Sequence, residues 1–378
     1  MNYRPFGHLD FQVSALGFGG MRLPILGADA TKVNEPLAVD MIRYAVDQGV
    51  NYIDSAYVYH GGNSERAIGK ALKDGYRQKV KVATKLPCWA VKQPSDFDRL
   101  LNEQLSRLQV EHIDFYLLHN LKATLWPKVR DLGVREWLDK AKADGRIGHT
   151  GFSFHDGFDM LKEIVESYGG WTVCQIQYNY VNETVQAGTK GLQYAASKGL
   201  AVAIMEPLLG GCLANPPEPI RAMFREARPD RTPAEWGLQW VWSKPEVSVV
   251  LSGMSAMAQV VENVASACRS AAGSLTDEEL KVVGRAREQY EALSVIPCTR
   301  CRYCMPCPNG VDIPHNLQLY NDALVFAGNQ RILNRNLYRG LPETARAKAC
   351  KACAECEEKC PQHIKVSEWM PKVDKMFM

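Results

Sequence analysis

The sequence predicts an α/β protein: a (β/α)8 barrel followed by a small, mainly helical, cysteine-rich domain. Three observations carry this reading. Eight short β-rich runs alternate with amphipathic helical stretches between about residues 13 and 272, which matches a (β/α)8 barrel in count and size. No G-x-G-x-x-G follows the first of these runs, which counts against the rival doubly wound sheet. Of the 12 cysteines, eight crowd into residues 298–360, while Cys88, Cys174, Cys212 and Cys268 are scattered over the rest.

Taken in order, the strands are expected at Ala15–Gly19, Asn51–Ser55, Lys81–Lys85, Ile113–His119, His149–Ser153, Val173–Gln177, Ala201–Glu206 and Ser248–Ser252. Between them, Leu37, Met41 and Ala45 fall at i, i+4, i+8, and Leu101, Leu105 and Leu108 at i, i+4, i+7. Both spacings stack apolar side chains on one helix face. Gly49, Gly75, Gly145 and Gly199 end or follow candidate helices, as C-cap glycines do. Residues 270–276 read as a linker, and Thr276-Asp-Glu-Glu279 as a capping box that opens a helix to about Leu293. In the remainder, Leu317, Tyr320 and Leu324 keep helical spacing. The domains expected are therefore 1–272, a linker helix at 273–296, and 297–378.

Composition narrows the function. The 378 residues carry 45 Lys+Arg against 42 Asp+Glu, a formal charge of +3 that gives no argument for nucleic acid. Nothing approaches 18 consecutive apolar residues, so no membrane span is expected. The N-terminal Met1–Asp10 segment lacks the apolar core of a signal peptide. The expectation is a cytoplasmic protein, where clustered thiols serve as metal ligands rather than disulfides.

In such a barrel the chemistry sits at the C-terminal ends of the strands. Reading those ends gives Asp54 and Tyr59 after the second strand, Lys85 at the third and His119 at the fourth. A Tyr, with an ordinary pKa of about 10, is a poor acid at neutral pH. A neighbouring ammonium lowers that pKa, and a buried carboxylate keeps the Lys charged. A His nearby can hydrogen-bond a substrate oxygen. Together the four can polarise a carbonyl and protonate it as hydride arrives.

Asn51-Tyr-Ile-Asp-Ser-Ala-Tyr-Val-Tyr59, Val82-Ala-Thr-Lys85, Tyr116-Leu-Leu-His119 and the Gly-Asn-Ser-Glu65 run resemble the signature segments of the aldo-keto reductase superfamily over about residues 3–272. The resemblance implies Tyr59 as general acid/base, Lys85 and Asp54 as its tuning pair, and His119 as the group that orients the carbonyl. It implies NADP or NAD as cofactor and a small-molecule carbonyl or alcohol as substrate. Gly20, Met21, Asp54, Ser153, Gln175, Met205, Gln259, Glu262 and Asn263 stand where the family contacts its nicotinamide cofactor. Met205 replaces the aromatic ring that many members stack on the nicotinamide, and a polarisable thioether can also pack on a flat ring. Gln259 stands where Arg often meets the 2′-phosphate, and it lacks that charged fork. The run Ser153-Phe-His155 replaces the commoner Ser-Asn pair, and His60 and Tyr57 flank Tyr59 as pocket-lining candidates.

Residues 350–361 form a full C-x2-C-x2-C-x3-C-P run, and 298–308 repeat it one residue shorter before the last Cys. This is the bacterial-ferredoxin pattern for [4Fe–4S] ligation. Two zinc sites are the rival, but the third evenly spaced Cys and the terminal Cys-Pro exceed what zinc requires. In two-cluster ferredoxins the fourth Cys comes from the other motif. On that pattern Cys298, Cys301, Cys304 and Cys360 hold one cluster, and Cys350, Cys353, Cys356 and Cys307 the other. The 42 residues between Cys307 and Cys350 point to a helical ferredoxin-like domain rather than the compact type. The whole chain thus resembles prokaryotic aldo-keto reductases with a C-terminal 4Fe-4S ferredoxin-type domain. Two further readings stay open: electron exchange between the clusters and an external redox partner protein, and a redox-sensing, nicotinamide-binding module.

Overall fold

The computed structural model describes residues 1–378 apart from 28, 299–303, 327–328 and 361, and apart from the side chains of Asn329 and Gln330. Ten strands are assigned: β1 (Tyr3–Phe6), β2 (Leu9–Ser14), β3 (Leu16–Gly19), β4 (Tyr52–Asp54), β5 (Lys81–Leu86), β6 (Ile113–Leu121), β7 (Ile147–Phe154), β8 (Trp171–Gln177), β9 (Ala201–Met205) and β10 (Val249–Gly253). Strands β3 to β10 close into one parallel barrel in sequence order, with β10 pairing back onto β3. All eight expected strands are present, with ends shifted by up to two residues.

The hairpin β1–β2 was not anticipated. It lies ahead of the β/α alternation, and only its packing reveals its purpose. Phe6 and Val13 are fully buried against Tyr52, Phe115, Val173, Ala201 and Val249, residues near the N-terminal ends of the barrel strands. The hairpin therefore plugs the end of the barrel opposite the expected chemistry.

Side chains alternate along a strand, so every second residue of a barrel strand points inward. Tyr52, Ala83, Leu117, Val173, Ala203 and Leu251 form that apolar interior. Two residues further along the same faces stand Asp54, Lys85, His119, Gln175, Met205 and Gly253. Gly151 pairs in register with Leu117, which puts Ser153 on the inward face as well. Parity thus carries one apolar interior upward into one polar rim.

By contacts the chain forms two compact units, residues 1–209 with 234–277, and residues 210–233 with 278–378. In the second unit the expected helix after the linker spans Asp277–Ala292, and Leu317, Tyr320 and Leu324 lie in the helix Ile313–Val325. Helices Asn329–Gly340, Glu355–Glu358 and Val366–Phe377 follow. Among the described residues of 278–378 there is no strand. Leu317, Tyr338, Val366, Met370, Val373 and Phe377 build its core. Among the described residues no helix is long and apolar enough to cross a membrane.

Candidate active site and cysteine cluster

At the C-terminal end of the barrel, the Lys85 ammonium donates to Asp54 Oδ1 at 2.6 Å and to the Ser55 carbonyl at 2.6 Å. Lys85 is 1% exposed and Asp54 3%. Its Nζ also lies 5.2 Å from the centre of the Tyr59 ring. The His119 ring stands edge-on to Tyr59 at 6.0 Å between centroids. The four expected residues therefore meet, although β4, β5 and β6 supply three of them and a turn supplies Tyr59.

Burial dominates the electrostatics. It pushes the Tyr59 phenol above its ordinary value, with Lys85 pulling the other way and Asp54 adding to the rise. This corrects the expectation of a lowered Tyr59 pKa, because desolvation outweighs the ammonium. Burial likewise raises the Asp54 carboxyl against the pull of Lys85. For Lys85 burial lowers the pKa, but Asp54 and Tyr59 together raise it above the ordinary value, so it stays an ammonium. His119 is held well below its usual range by burial, then by Lys85 and His155, so its ring is neutral at neutral pH.

The turn that carries Tyr59 separates it from its neighbours. The Leu23 amide donates to His60 Nε2 at 3.2 Å, so Nδ1 carries the proton and donates to the Ala30 carbonyl at 2.6 Å. The Tyr57 hydroxyl donates to Glu103 Oε2 at 2.9 Å. Both side chains are spent on structure, and neither competes with Tyr59.

The residues expected to meet a cofactor divide into two groups. Gln175 is buried, with Nε2 3.5 Å from Asp54 Oδ2 and with Oε1 lacking a partner among the described residues. The Ser153 hydroxyl accepts from the Asn120 amide at 2.8 Å. Gly20 lies so close to the β4 turn that an added Cβ would sit 2.6 Å from Ser64 Oγ. Met21 is well exposed, and Met205 is half-buried at the end of β9. Gln259 and Asn263, by contrast, are engaged locally. Gln259 Oε1 accepts from the Ser255 amide at 2.8 Å, and buried Asn263 donates to Ser252 Oγ at 3.0 Å. Glu262 lies between them in the helix Met257–Ala267.

Sequence reasoning missed two groups at this mouth, Trp89 and Gln177, and named a third, His155, only as part of the run that begins at Ser153. Trp89, in the loop after β5, is 41% exposed and packs on His119 at 5.0 Å between centroids. Gln177 sits two residues beyond Gln175 on the same inward face, a position that parity would have flagged. His155 follows Ser153 by the same rule, and burial pushes it down to about 4. The scattered cysteines are ordinary: Cys88, Cys174 and Cys212 are buried, Cys268 is exposed, and burial pushes the Cys88 thiol up to about 12.

In the second unit, Cys298, Cys304, Cys307, Cys350, Cys356 and Cys360 all pack against one apolar core. Cys353 is exposed, and Cys301 lies outside the described residues. Cysteines of both motifs therefore face the same core. Two Asn side chains of the helix Ile313–Val325 hold the approaches. Asn321 accepts from the Ile296 amide at 2.9 Å and donates to the Ile296 carbonyl at 2.7 Å, just ahead of Cys298. Asn316 accepts from the Ala347 amide at 3.0 Å, just ahead of Cys350. Among the described residues no three His, Cys, Asp or Glu side chains converge as a metal site.

Residues 15–286 match the family model of the aldo/keto reductase family. The chain belongs to the aldo/keto reductase family. Residues 297–365 match a 4Fe-4S dicluster domain. This aldo/keto reductase is 29% identical over 321 residues to L-galactose dehydrogenase of Arabidopsis thaliana, covering 77% of the chain and 96% of that protein. It is 26% identical over 307 residues to the NADH-specific methylglyoxal reductase of Escherichia coli K12, covering 69% and 92%. The holo form of an aldo-keto reductase from Bacillus halodurans superposes with a TM-score of 0.63 at 26% identity, covering 76% of this chain and 96% of that one. An aldo/keto reductase from Klebsiella pneumoniae, solved with NADP and acetate, shares the fold with a TM-score of 0.62 at 24% identity, covering 75% and 94%. The chain is an NAD(P)-dependent oxidoreductase with a barrel and an iron–sulfur domain.

Proposed function

We propose that this reductase interconverts a carbonyl and an alcohol on a small molecule, with Tyr59 as general acid/base. The observation that carries the reading is the buried Asp54–Lys85 pair, 2.6 Å apart, set against the Tyr59 ring. Lys85 is held charged beside the phenol, so a proton leaving Tyr59 Oη leaves a phenolate next to an ammonium. Neutral His119 donates a hydrogen bond to the carbonyl oxygen and orients it, while Trp89 forms the apolar wall behind it. A bound reduced nicotinamide supplies the hydride. Ser153 and Gln175 hold its carboxamide, and the unpartnered Gln175 Oε1 fits that amide donor. Gly20, Met21, Met205 and the Gln259–Asn263 segment line the rest of the cofactor's path. Gln259 is a neutral amide, its Oε1 already taken by the Ser255 amide, so it supplies no charge to a 2′-phosphate, and both NADP and NAD are admitted.

The cysteine domain is assigned two [4Fe–4S] clusters, held by Cys298, Cys301, Cys304 and Cys360 and by Cys350, Cys353, Cys356 and Cys307. The all-thiol donor set and the packing of cysteines from both motifs on one core support this sharing between motifs. Thiolate ligands of this kind suit a reducing cytoplasm. A second reading is favoured by the dicluster match. Hydride moves two electrons at once and a cluster ordinarily one, so clusters that exchange electrons would need an external carrier.

One experiment separates these. Iron-replete protein is mixed anaerobically with NADPH, then NADH, in the presence of a carbonyl panel, while nicotinamide and cluster absorbance are followed together. Nicotinamide oxidation that Tyr59→Phe abolishes, with the clusters unbleached, is the expected result. Bleaching in step with nicotinamide consumption would favour the electron-transfer reading. Full turnover by Tyr59→Phe would refute the assignment of Tyr59.

A further inference from the structure

Behind the groups that meet substrate lies a second set of buried polar side chains, and its centre is Arg107 in the helix Ser95–Leu108. Its Nη1 donates to the Tyr57 carbonyl at 2.9 Å and to Glu65 Oε2 at 3.2 Å, and Nη2 donates to Glu103 Oε1 at 2.5 Å. The guanidinium lies over the Tyr57 ring, 4.1 Å from its centre. At the other end of the same turn, Gly62 has φ +92°, and a Cβ there would lie 2.8 Å from Nη1. The backbone on both sides of Tyr59 therefore rests on one guanidinium.

The contacts continue toward the rest of the site. Glu65, fully buried, also accepts from Thr84 Oγ1 at 2.6 Å and from Gln104 Nε2 at 2.7 Å. Gln104 Nε2 reaches the Lys85 carbonyl at 3.1 Å, and its Oε1 accepts from the Tyr116 hydroxyl at 2.7 Å. One hydrogen-bonded unit thus grips the backbone at Tyr57 and at Lys85, together with the β6 strand three residues before His119. Buried ion pairs contribute little net stability against apolar side chains of equal volume. Their directional bonds instead select one arrangement of the groups they join.

We propose that Arg107, acting through Glu65 and Gln104, is a positioning residue that sets the Tyr57–Gly62 turn against β5 and so fixes the reach from the Tyr59 hydroxyl to the Lys85 ammonium. The proposal rests on the reading of Tyr59 as the acid/base group. Only a planar fork can bond the Tyr57 carbonyl, Glu65 and Glu103 while stacking on a ring, so Lys is an incomplete substitute.

The test uses full-length, iron-replete Arg107→Lys and Arg107→Met beside Tyr59→Phe, with folding checked by near-UV circular dichroism and melting. Misplacing a proton donor by about 1 Å can cost on the order of 100-fold in rate. Arg107→Met is expected to lose about that much in kcat, and Arg107→Lys about tenfold. The KM for carbonyl and the affinity for nicotinamide should stay near wild type. The alkaline limb of kcat should move to higher pH, because Tyr59 loses part of the pull of Lys85 against burial, Asp54 and Glu206. Folded Arg107→Met with wild-type kcat and an unmoved limb would overturn the proposal. If Arg107→Met fails to fold, Arg107→Lys decides alone by the same two readouts. Wild-type turnover in Tyr59→Phe would defeat the reading of the site itself, whereas loss there with unimpaired Arg107 variants defeats only the positioning role.

Discussion

The barrel site and the cysteine cluster hold their reactive groups in opposite ways. Asp54, Lys85 and His119 stand at the ends of strands whose ladders fix the backbone, and Lys85 is already bonded to Asp54 and Ser55. The described cysteines of the two motifs lie on loops, short turns and the one-turn helix Glu355–Glu358, against an apolar core. Strand ends are organised before any ligand arrives. Thiol loops take their final geometry from the metal they bind, and that binding is itself folding free energy. The comparison teaches which half depends on its cofactor for shape.

The largest effect should come from removing iron. Anaerobic chelation is expected to abolish the broad absorption near 400 nm (about eight iron atoms lost per chain for two [4Fe–4S] clusters) and the cooperative melting of the 278–378 region. The barrel transition should survive, as read by calorimetry. A barrel that melts with the clusters would break the contrast.

Next in size is Tyr59→Phe, which keeps the ring and removes the proton. Loss of a positioned acid costs on the order of 10² to 10⁴ in rate, and steady-state kcat should fall within that span while nicotinamide affinity measured by fluorescence quenching stays put. Lys85→Met should match it in direction, since an unpaired Asp54 would be left buried.

The pH dependence sharpens the same point. Burial raises the Tyr59 pKa, so carbonyl reduction, which needs the phenol, should hold through neutral pH and fall only in the alkaline range. Alcohol oxidation, which needs the phenolate, should rise over that same range. Opposite limbs in the two directions are the expected signature in initial-rate profiles. A reduction rate that falls below pH 8 would show that Lys85 outweighs burial once ligands are bound.

A smaller effect concerns stability. His155 is held neutral by burial, with a folded value of about 4 against an ordinary value of about 6.5. Between those values the unfolded chain binds more protons than the folded one, so stability is lost as pH falls through that window. Melting temperature of the barrel should drop by on the order of a few degrees between pH 6.5 and 4, and His155→Gln should flatten the slope. An equal slope in that variant would assign the effect elsewhere, His119 and His149 being the other imidazoles held below their usual range.

Much of this site was legible from residue order alone, because strand parity is rigid. Once the apolar interior is read at Tyr52, Ala83, Leu117 and Val173, positions two residues on must face the mouth, which yields Asp54, Lys85, His119 and Gln175. Tyr59 obeys no such parity, because it sits in a turn whose direction depends on what braces it; reading past the strand end offered it, and the family resemblance preferred it to Tyr57 and His60. Arg107 was invisible for a related reason. Its partner is the carbonyl of Tyr57, and a backbone acceptor leaves no mark in the sequence. The hairpin β1–β2 was missed because its apolar face has meaning only against the barrel floor. Gln259 is engaged locally, its Oε1 accepting from the Ser255 amide, a contact that spacing alone does not show.

The amino-acid sequence by itself determined the eightfold strand–helix alternation, the order of the three strand-end groups Asp54, Lys85 and His119, and the evenly spaced thiols. All of these are properties of spacing along one chain, and short-range geometry converts spacing into direction. Tertiary structure alone decided that Tyr59 is shifted upward rather than downward, that His60 and Tyr57 are braces, and that cysteines of both motifs pack on one core. Each of these depends on burial or on contact between distant segments, which no local pattern encodes.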